Sequence, residues 1–194
     1  MTFSERFFLV LPKLPYNVIN LVVQIVMFKY FTDVVGLNSL MVGTVFLALS
    51  IWNAVNDPLI GIFLDRMKYT EKRGKYLFIC KMSIPLIVIA LLFLLFVNRS
   101  WSEWFIYAYI LLAFFVYEAG MTAYSTAIMS YSFLRLRDTE ERLEYAILQT
   151  YMTYILSAVI TLIPLVLFIG DQPVSYITPV MVVIITLDAL FCSG

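Results

Sequence analysis

Histidine is absent from this 194-residue sequence, and charged side chains make up only 13% of it. The missing histidine excludes the usual neutral-pH proton shuttle and the commonest metal ligand. Both cysteines, Cys80 and Cys192, stand in apolar runs, which favours buried packing over a disulfide framework or a zinc site. No nucleophile motif or pair of acids stands at a useful spacing for catalysis. The sequence therefore predicts neither an enzyme nor a bound cofactor.

The overall balance of the sequence points to lipid as its solvent. Lys and Arg equal Asp and Glu at 13 each, so the zero net charge gives no bias towards nucleic acid. Hydrophobic residues make up 62% of the chain, whereas a soluble domain carries roughly 25% charged residues. We therefore expect the lipid bilayer to be the main partner of the chain.

Six apolar stretches are each long enough to cross a bilayer, which takes about 20 residues. They lie near 10–31, 38–64, 76–97, 104–133, 145–169 and 174–193. Helices are expected, because an unpaired backbone group in lipid costs several kcal/mol. The sequence thus predicts an all-α membrane protein in which residues 1–194 form a single six-helix transmembrane domain.

Basic residues predict the orientation of these helices. Ten Lys and Arg residues fall at the N-terminus and in the loops after the second and fourth stretches, whereas only Lys29 and Arg99 fall on the other side. Because cytoplasmic loops carry the excess of basic residues, the N-terminus is predicted to be cytoplasmic. We expect an integral, multi-pass protein of the plasma (cytoplasmic) membrane.

The second stretch contains the polar run "WNAVNDPLIG" at 52–61. Asn53, Asn56 and Asp57 are spaced by three and four residues, which places them on one face of a helix, and Gly61 continues that face. An ionisable residue at membrane depth is costly and normally faces protein or water. Gly61 is expected to let a neighbouring helix approach closely.

Three interpretations of Asp57 are open from residue chemistry alone. Pro58 is expected to free the backbone carbonyl of Ala54, so that carboxylate, amide and carbonyl oxygens could bind Na+. The same carboxylate could instead carry a proton. It could also form a structural ion pair with Lys81 in the third stretch, which lies at a comparable depth.

Further polar side chains recur at helical spacing in the first, fourth and fifth stretches. The predicted substrate-cavity residues are Asn17, Asn20, Gln24, Glu118, Thr122, Ser125 and Gln149. Such residues also serve as interhelical hydrogen bonds, each typically worth about 1 kcal/mol or less. That alternative is favoured for the Thr and Ser positions, and the cavity is favoured for Asn17 and Glu118.

The first and fourth stretches share a predicted interruption. Pro12 and Pro15 break the first stretch, and Gly120 is expected to break the fourth. Broken helices at corresponding positions of two repeats mark the binding site of many transporters. The six helices are therefore expected to form a 3+3 inverted repeat.

Four motifs carry a resemblance to a known family. They are the sequence at 32–36 (TDVVG), the run at 52–61, the basic loop at 72–75 (KRGK), and Asp138, Glu141 and Arg142 after the fourth stretch. In these the chain resembles the glycoside–pentoside–hexuronide:cation symporters (the melibiose-permease-like family) of the major facilitator superfamily. The resemblance is strongest over 31–66.

The resemblance implies the N-terminal half of a symporter that couples transport of a sugar or glycoside to Na+ or H+. It implies a cation site at Asp57, Asn53 and Asn56, although the family's second carboxylate in this helix falls on Asn53. The family's first-helix acid falls on Asn17, and Glu118 lies little more than one turn before its fourth-helix acid. The implied cytoplasmic gating loops contain Asp65, Arg66, Arg73, Lys75, Asp138, Glu141 and Arg142.

Length sets this chain apart from the family, whose members have twelve helices in two halves. The second half is therefore expected to be absent, or supplied as a C-terminal half or second chain. The alternative is a truncated, inactive or scaffold six-helix membrane protein without transport of its own.

Overall fold

The computed structural model describes residues 3–67, 74–98, 100–136 and 138–168, and all regular structure in these segments is helical. The helices are α1 (Phe3–Val10), α2 (Lys13–Lys29), α3 (Ser39–Arg66), α4 (Lys75–Leu95), α5 (Glu103–Arg135) and α6 (Thr139–Phe168). A π-helical turn at Tyr30–Val35 extends α2. The helical class predicted from the sequence is therefore confirmed. The predicted stretch at 174–193 lies outside the described residues.

Three of the described helices, α3, α4 and α5, are long and apolar enough to cross a membrane. Their bounds agree with the predicted stretches to within about two residues, a normal uncertainty at helix ends. Many of their large apolar side chains are exposed, including Leu47, Ile51 and Leu59 of α3. A lipid environment would cover these side chains, whereas water would leave them unfavourably exposed.

The first predicted stretch is interrupted at one of the two prolines that were predicted to break it, Pro12. The break falls at Leu11 and Pro12, between α1 and α2, and the sequence pattern did not anticipate α1 itself. Pro15 does not interrupt the chain, because it lies in the first turn of α2, where the missing N–H has no helical acceptor to lose. Beyond the π-helical turn, Gly36 adopts a left-handed conformation with φ of 84°, and α3 begins soon after.

Two expectations about glycine are wrong. α5 runs through Gly120 without a break. This glycine instead allows close packing, since an added Cβ would lie 2.9 Å from Cγ1 of Ile87 in α4. Gly61 has open space among the described residues instead of a close neighbour. α3 continues through Pro58 as one helix of 28 residues, and because proline has no N–H the Ala54 carbonyl has no helical donor.

The described chain divides into two compact units. Phe28–Ala127 form one unit, which contains α3, α4 and most of α5. In it, Phe114 of α5 meets Phe46 of α3 at a ring separation of 5.6 Å, and the Tyr109 hydroxyl donates to the Phe93 carbonyl of α4 at 3.0 Å. α5 thus packs against both α3 and α4.

The other unit combines the described residues up to Met27 with those from Ile128 onwards. Val10, Leu136 and Tyr145 form its buried apolar cluster. The Tyr145 hydroxyl donates to Ser132 Oγ at 3.2 Å, and Arg6 of α1 forms an ion pair with Glu144 of α6. These contacts fix α1 against the start of α6.

Candidate functional site

The exposure of α3 divides the helix into three faces. Its buried face includes Val42, Val45, Leu49 and Asn56. A second face carries small or polar residues, with Ser50, Ala54 and Asp57 exposed. A third face presents exposed apolar side chains, and its members are Leu47, Ile51, Val55, Leu59 and Ile62. Asp57 therefore lies between the core of the unit and the apolar surface of α3.

Polar contacts join Asp57 and Asn53 of α3 to α5. The Thr122 hydroxyl donates a hydrogen bond of 3.1 Å to Oδ1 of Asp57. One turn earlier on α5, the Glu118 carboxyl lies close to the side chain of Asn53 and within electrostatic range of Asp57. Glu118 and Thr122 are four residues apart and so share a face of α5. The structure thus brings together four residues that the sequence analysis singled out.

This cluster leaves polar atoms without partners. Asn53 Oδ1 and Asn56 Nδ2 are buried and have no hydrogen-bond partner among the described residues. Asn56 is only 3% exposed. Because buried polar groups are nearly always paired, such atoms need an explanation, and a bound ion or water is a common one. The Asn53 Oδ1 atom can accept a hydrogen bond or face a cation, whereas Asn56 Nδ2 can only donate a hydrogen bond.

Lys81 is not the partner of Asp57. Both residues lie in the described part of the chain, and no ion pair forms between them. Lys81 is exposed on α4. The structural ion pair, which was one of three interpretations of Asp57, is therefore absent from this structure.

The chemistry of the cluster suits a small cation. Asp57 and Glu118 supply carboxylate oxygens, Asn53 an amide oxygen, and Thr122 a hydroxyl oxygen. Oxygen ligands are those that hard cations prefer. α3 is continuous through Pro58, but proline has no N–H, so the Ala54 carbonyl lacks a helical donor and is a further oxygen near these side chains.

An aromatic contact beside the cluster was not singled out from the sequence. Trp52 of α3 stacks on Phe115 of α5 with ring centroids 4.7 Å apart and an interplanar angle of 15°. The Trp52 indole N–H is buried without a partner in the described segments. A buried tryptophan usually finds an acceptor. In the sequence, the position of Trp52 directly before Asn53 was the one signal that could have indicated this contact.

Other predicted cavity residues lie in the unit that contains α2 and α6. Asn17 Nδ2 donates to Thr153 Oγ1 at 2.9 Å and so joins α2 to α6, while Gln24 donates to Asn20 along α2 at 2.6 Å. Gln149 of α6 is half-buried and makes no hydrogen bond with a described residue. The interhelical bond that sequence reasoning kept as an alternative for Asn17 is thus present.

Ser125 of α5 stands apart from the polar cluster. It lies three residues beyond Thr122 and is half-buried. It makes no hydrogen bond to any part of the chain that the structure describes. The contacts to Asp57 and Asn53 thus come from Thr122 and Glu118, and Ser125 adds none.

The predicted gating residues at the ends of α3 and α4 are partly described. Asp65 and Arg66 are exposed at the end of α3, and Arg73 lies outside the described residues. Lys75 Nζ donates to the Asp65 carbonyl at 3.5 Å. This bond spans the connection between the two helices.

The predicted gating residues between α5 and α6 form a second group. Arg142 Nε donates to the Leu136 carbonyl at 3.3 Å, and its guanidinium lies 5.8 Å from the Phe133 ring centre. The Asp138 carbonyl accepts a bond from the Arg142 backbone N–H at 3.1 Å, and Glu141 is half-buried. Arg142 therefore fixes the turn between the two helices.

Comparison with known proteins places the chain among transport proteins. The family model for MFS/sugar transport proteins matches residues 8–193. The uncharacterized symporter YjmB of Bacillus subtilis (strain 168) is 40% identical over 87 residues. That segment is 44% of this chain and 19% of the relative, so the match covers well under two thirds of the relative's length.

Proposed function

The chain belongs to the MFS/sugar transport protein family, and on that premise we propose that it forms part of a symporter that moves a sugar or glycoside together with Na+ or H+. Its helical fold and apolar helices make it an integral, multi-pass membrane protein. The family indicates a transporter rather than an enzyme. The name of the Bacillus subtilis relative supports symport.

The observation that carries the coupling proposal is the unpaired Asp57 in the middle of α3. No basic side chain forms an ion pair with it in the described segments, where its hydrogen-bond partner is the Thr122 hydroxyl. An acid at membrane depth is costly and marks an ion or proton pathway by default. Asp57, with Asn53 and Asn56 beside it, is the proposed cation site.

The proposed substrate path uses the remaining polar side chains. Asn17, Asn20, Gln24 and Gln149 would donate and accept hydrogen bonds with sugar hydroxyl groups, and Asn17 would exchange its bond to Thr153 for one to substrate. The proposed setting is the plasma membrane with a cytoplasmic N-terminus, and a second half or second chain would complete the cavity. The loops at Lys75 and Arg142 would then gate the cytoplasmic side.

Uptake into proteoliposomes tests this proposal. The reconstituted chain would be offered radiolabelled monosaccharides, hexuronates and glycosides under an imposed Na+ gradient, an imposed pH gradient, or neither. We expect one gradient to drive accumulation and Asp57→Asn to reduce it by at least about tenfold, because a transported ion must be held at a charged site.

Glu103→Gln is the matched control, since Glu103 is an exposed acid at the start of α5, away from the proposed site. It should leave accumulation unchanged. Accumulation that needs no gradient, or that persists in Asp57→Asn, would rule out coupling through this residue. A complete lack of uptake for every sugar would favour a scaffold role for the chain.

A further inference from the structure

Lys81 is a charged residue on an otherwise apolar side of α4. It is exposed, and α4 contains no acidic residue. No Asp or Glu in the described segments forms an ion pair with it. The exposed apolar side chains on this side of the helix include Leu77, Phe78, Met82, Leu86, Ile89 and Leu92. The positive charge of Lys81 is therefore unmatched among the residues that the structure describes.

The position of Lys81 along α4 places its ammonium group near one membrane surface. α4 begins at Lys75, and a rise of 1.5 Å per residue puts Lys81 only about 9 Å from that end. Side chains on a helix lean towards its N-terminus, so the Lys81 side chain leans towards the same end. Its four-carbon stem can then lie on the apolar surface while the ammonium group reaches the headgroup layer.

A second polar group lies at the same residue. α4 runs through Pro85, which has no N–H, so the Lys81 carbonyl lacks its usual helical donor. The Ser83 hydroxyl, two residues further on, donates to the Ile79 carbonyl at 2.8 Å. A carbonyl without a donor is costly in hydrocarbon, so this turn of α4 favours contact with the polar edge of the membrane.

We propose that Lys81 binds the phosphate of an anionic phospholipid, whose acyl chains cover the apolar side chains of α4 beyond it. Charge complementarity selects this occupant, because an ammonium group with no acid beside it needs an anion, and lipid phosphates lie within its reach. A zwitterionic lipid brings its own cation to the phosphate, whereas phosphatidylglycerol keeps a net negative charge. The acyl chains would contact Met82, Leu86 and Ile89, which follow towards the middle of α4.

Two other lysines at helix ends already have partners within the chain. Lys29 Nζ, at the end of α2, lies 3.6 Å from a carboxylate oxygen of Asp33. Lys75 Nζ donates to the Asp65 carbonyl at 3.5 Å. Lys81 differs from both, and Lys29 serves as its control because an acid neutralises it.

Quenching by brominated lipids tests which lipid occupies this side of α4. The 194-residue protein, with Cys80 and Cys192 changed to serine, would carry one fluorescent maleimide at Met82→Cys, next to Lys81. It would be reconstituted in phosphatidylcholine vesicles that contain a minor share of brominated phosphatidylglycerol or of brominated phosphatidylcholine. The ratio of the two quenching efficiencies measures the local preference for the anionic lipid. The same label at Leu59→Cys, on the apolar face of α3, measures the preference elsewhere on the protein.

We expect about a fivefold preference for the anionic lipid at Met82→Cys, the factor that one lysine near an anionic surface contributes. No preference is expected at Leu59→Cys. Lys81→Met should remove the preference at Met82→Cys, whereas Lys81→Arg should keep it and Lys29→Met should leave it unchanged. Concentrated salt should lower it, because ions screen the attraction. Circular dichroism would confirm equal helical content in all variants.

Several outcomes would overturn the proposal. The first is a lack of preference at Met82→Cys, and the second is a preference that persists in Lys81→Met or is equally strong at Leu59→Cys. Absence of quenching by either lipid would show that protein, such as a second half or a second copy, covers this side of α4. Soluble glycerol phosphate that abolished the preference would assign Lys81 to a free phosphate. The transport assay can fail without affecting this test.

Discussion

The Thr122 hydroxyl donates a hydrogen bond of 3.1 Å to Oδ1 of Asp57 and so joins α5 to α3. The two residues are 65 positions apart in the sequence. Around this bond lie the Glu118 carboxyl and the Asn53 amide, which are close to each other. The bond therefore links the packing of two membrane-spanning helices to the proposed coupling site.

Thr122→Val keeps the shape of the side chain and removes this bond. We expect a loss of about 0.5–1.5 kcal/mol in the free energy of unfolding, the range found for interhelical hydrogen bonds in membranes. Thermal unfolding in lipid or detergent measures it. Gradient-driven uptake should also fall, because Asp57 loses the hydroxyl group that is its hydrogen-bond partner among the described residues.

Thr44→Val is the matched control for Thr122→Val. The Thr44 hydroxyl donates at 2.7 Å to the Met41 carbonyl on its own helix. Its hydrogen bond to the Tyr107 hydroxyl of α5 is long, at 3.5 Å. Its loss should change stability less and leave uptake intact. Equal effects of the two substitutions would show that the Thr122 bond has no special role.

The periodicity of the polar residues was predictable, whereas their partners were not. Spacings of three and four placed Asn53, Asn56 and Asp57 close together on α3, and Thr122 and Glu118 together on α5. Only the structure shows that these groups meet, because contacts between residues so far apart depend on the packing of all the apolar side chains around them. The same packing sets exposure: Asn56 is buried, whereas the adjacent Asp57 is exposed.

Gly120 shows why the sequence pattern could mislead. Glycine weakens a helix and also permits close approach of a neighbour, and spacing alone does not distinguish these roles. The sequence favoured a break, but α5 is continuous at Gly120 and closely packed against Ile87 of α4. The break at Pro12 was predicted, whereas the helix α1 before it was difficult to place, because helix ends depend on local hydrogen bonding.

Gly120→Ala is expected to destabilise the protein. The new Cβ would lie 2.9 Å from Ile87 Cγ1 and 3.6 Å from the Ile87 backbone nitrogen. Cγ1 is close to the main chain and cannot easily move, so we expect the free energy of unfolding to fall by about 1–2 kcal/mol. The greater helix propensity of alanine offsets part of this loss. The midpoint of thermal unfolding measures this cost.

Gly61→Ala is the control for that substitution, because Gly61 lies inside α3 with open space around it among the described residues. It should be neutral or stabilising by up to about 1 kcal/mol. Adding Ile87→Ala to Gly120→Ala should cost less than the sum of the two single changes. Strict additivity would contradict the close contact.

A double-mutant cycle at Asn17 and Thr153 measures the bond between α2 and α6. The two side chains are joined at 2.9 Å, so Asn17→Ala and Thr153→Ala should show a coupling of about 0.5–1 kcal/mol in unfolding free energy. Gln24→Ala paired with Thr153→Ala should show none, because Gln24 is bonded to Asn20 on its own helix. A zero coupling for Asn17 would indicate that its bond is not maintained and would favour a role towards substrate.

Two adjacent residues of α3, Ala54 and Val55, should differ in their contact with water. Both are exposed, but Ala54 lies on the face with Ser50 and Asp57, whereas Val55 lies on the apolar face with Ile51 and Leu59. Each would be replaced by cysteine after Cys80 and Cys192 have been changed to serine. Since a maleimide reacts with the thiolate, which lipid disfavours, Ala54→Cys should react at least about tenfold faster with a membrane-impermeant reagent.

Ser102→Cys provides the upper reference for this comparison, because Ser102 is exposed just before α5. A lipid-soluble maleimide should label both α3 positions and so show that each cysteine is intact. Equal, slow reaction of Ala54→Cys and Val55→Cys with the impermeant reagent would place both faces in lipid. Asp57 would then lack the aqueous access that ion coupling requires. The proposed coupling site would have to be abandoned, even with the cluster of Asp57, Glu118 and Thr122 formed as the structure shows.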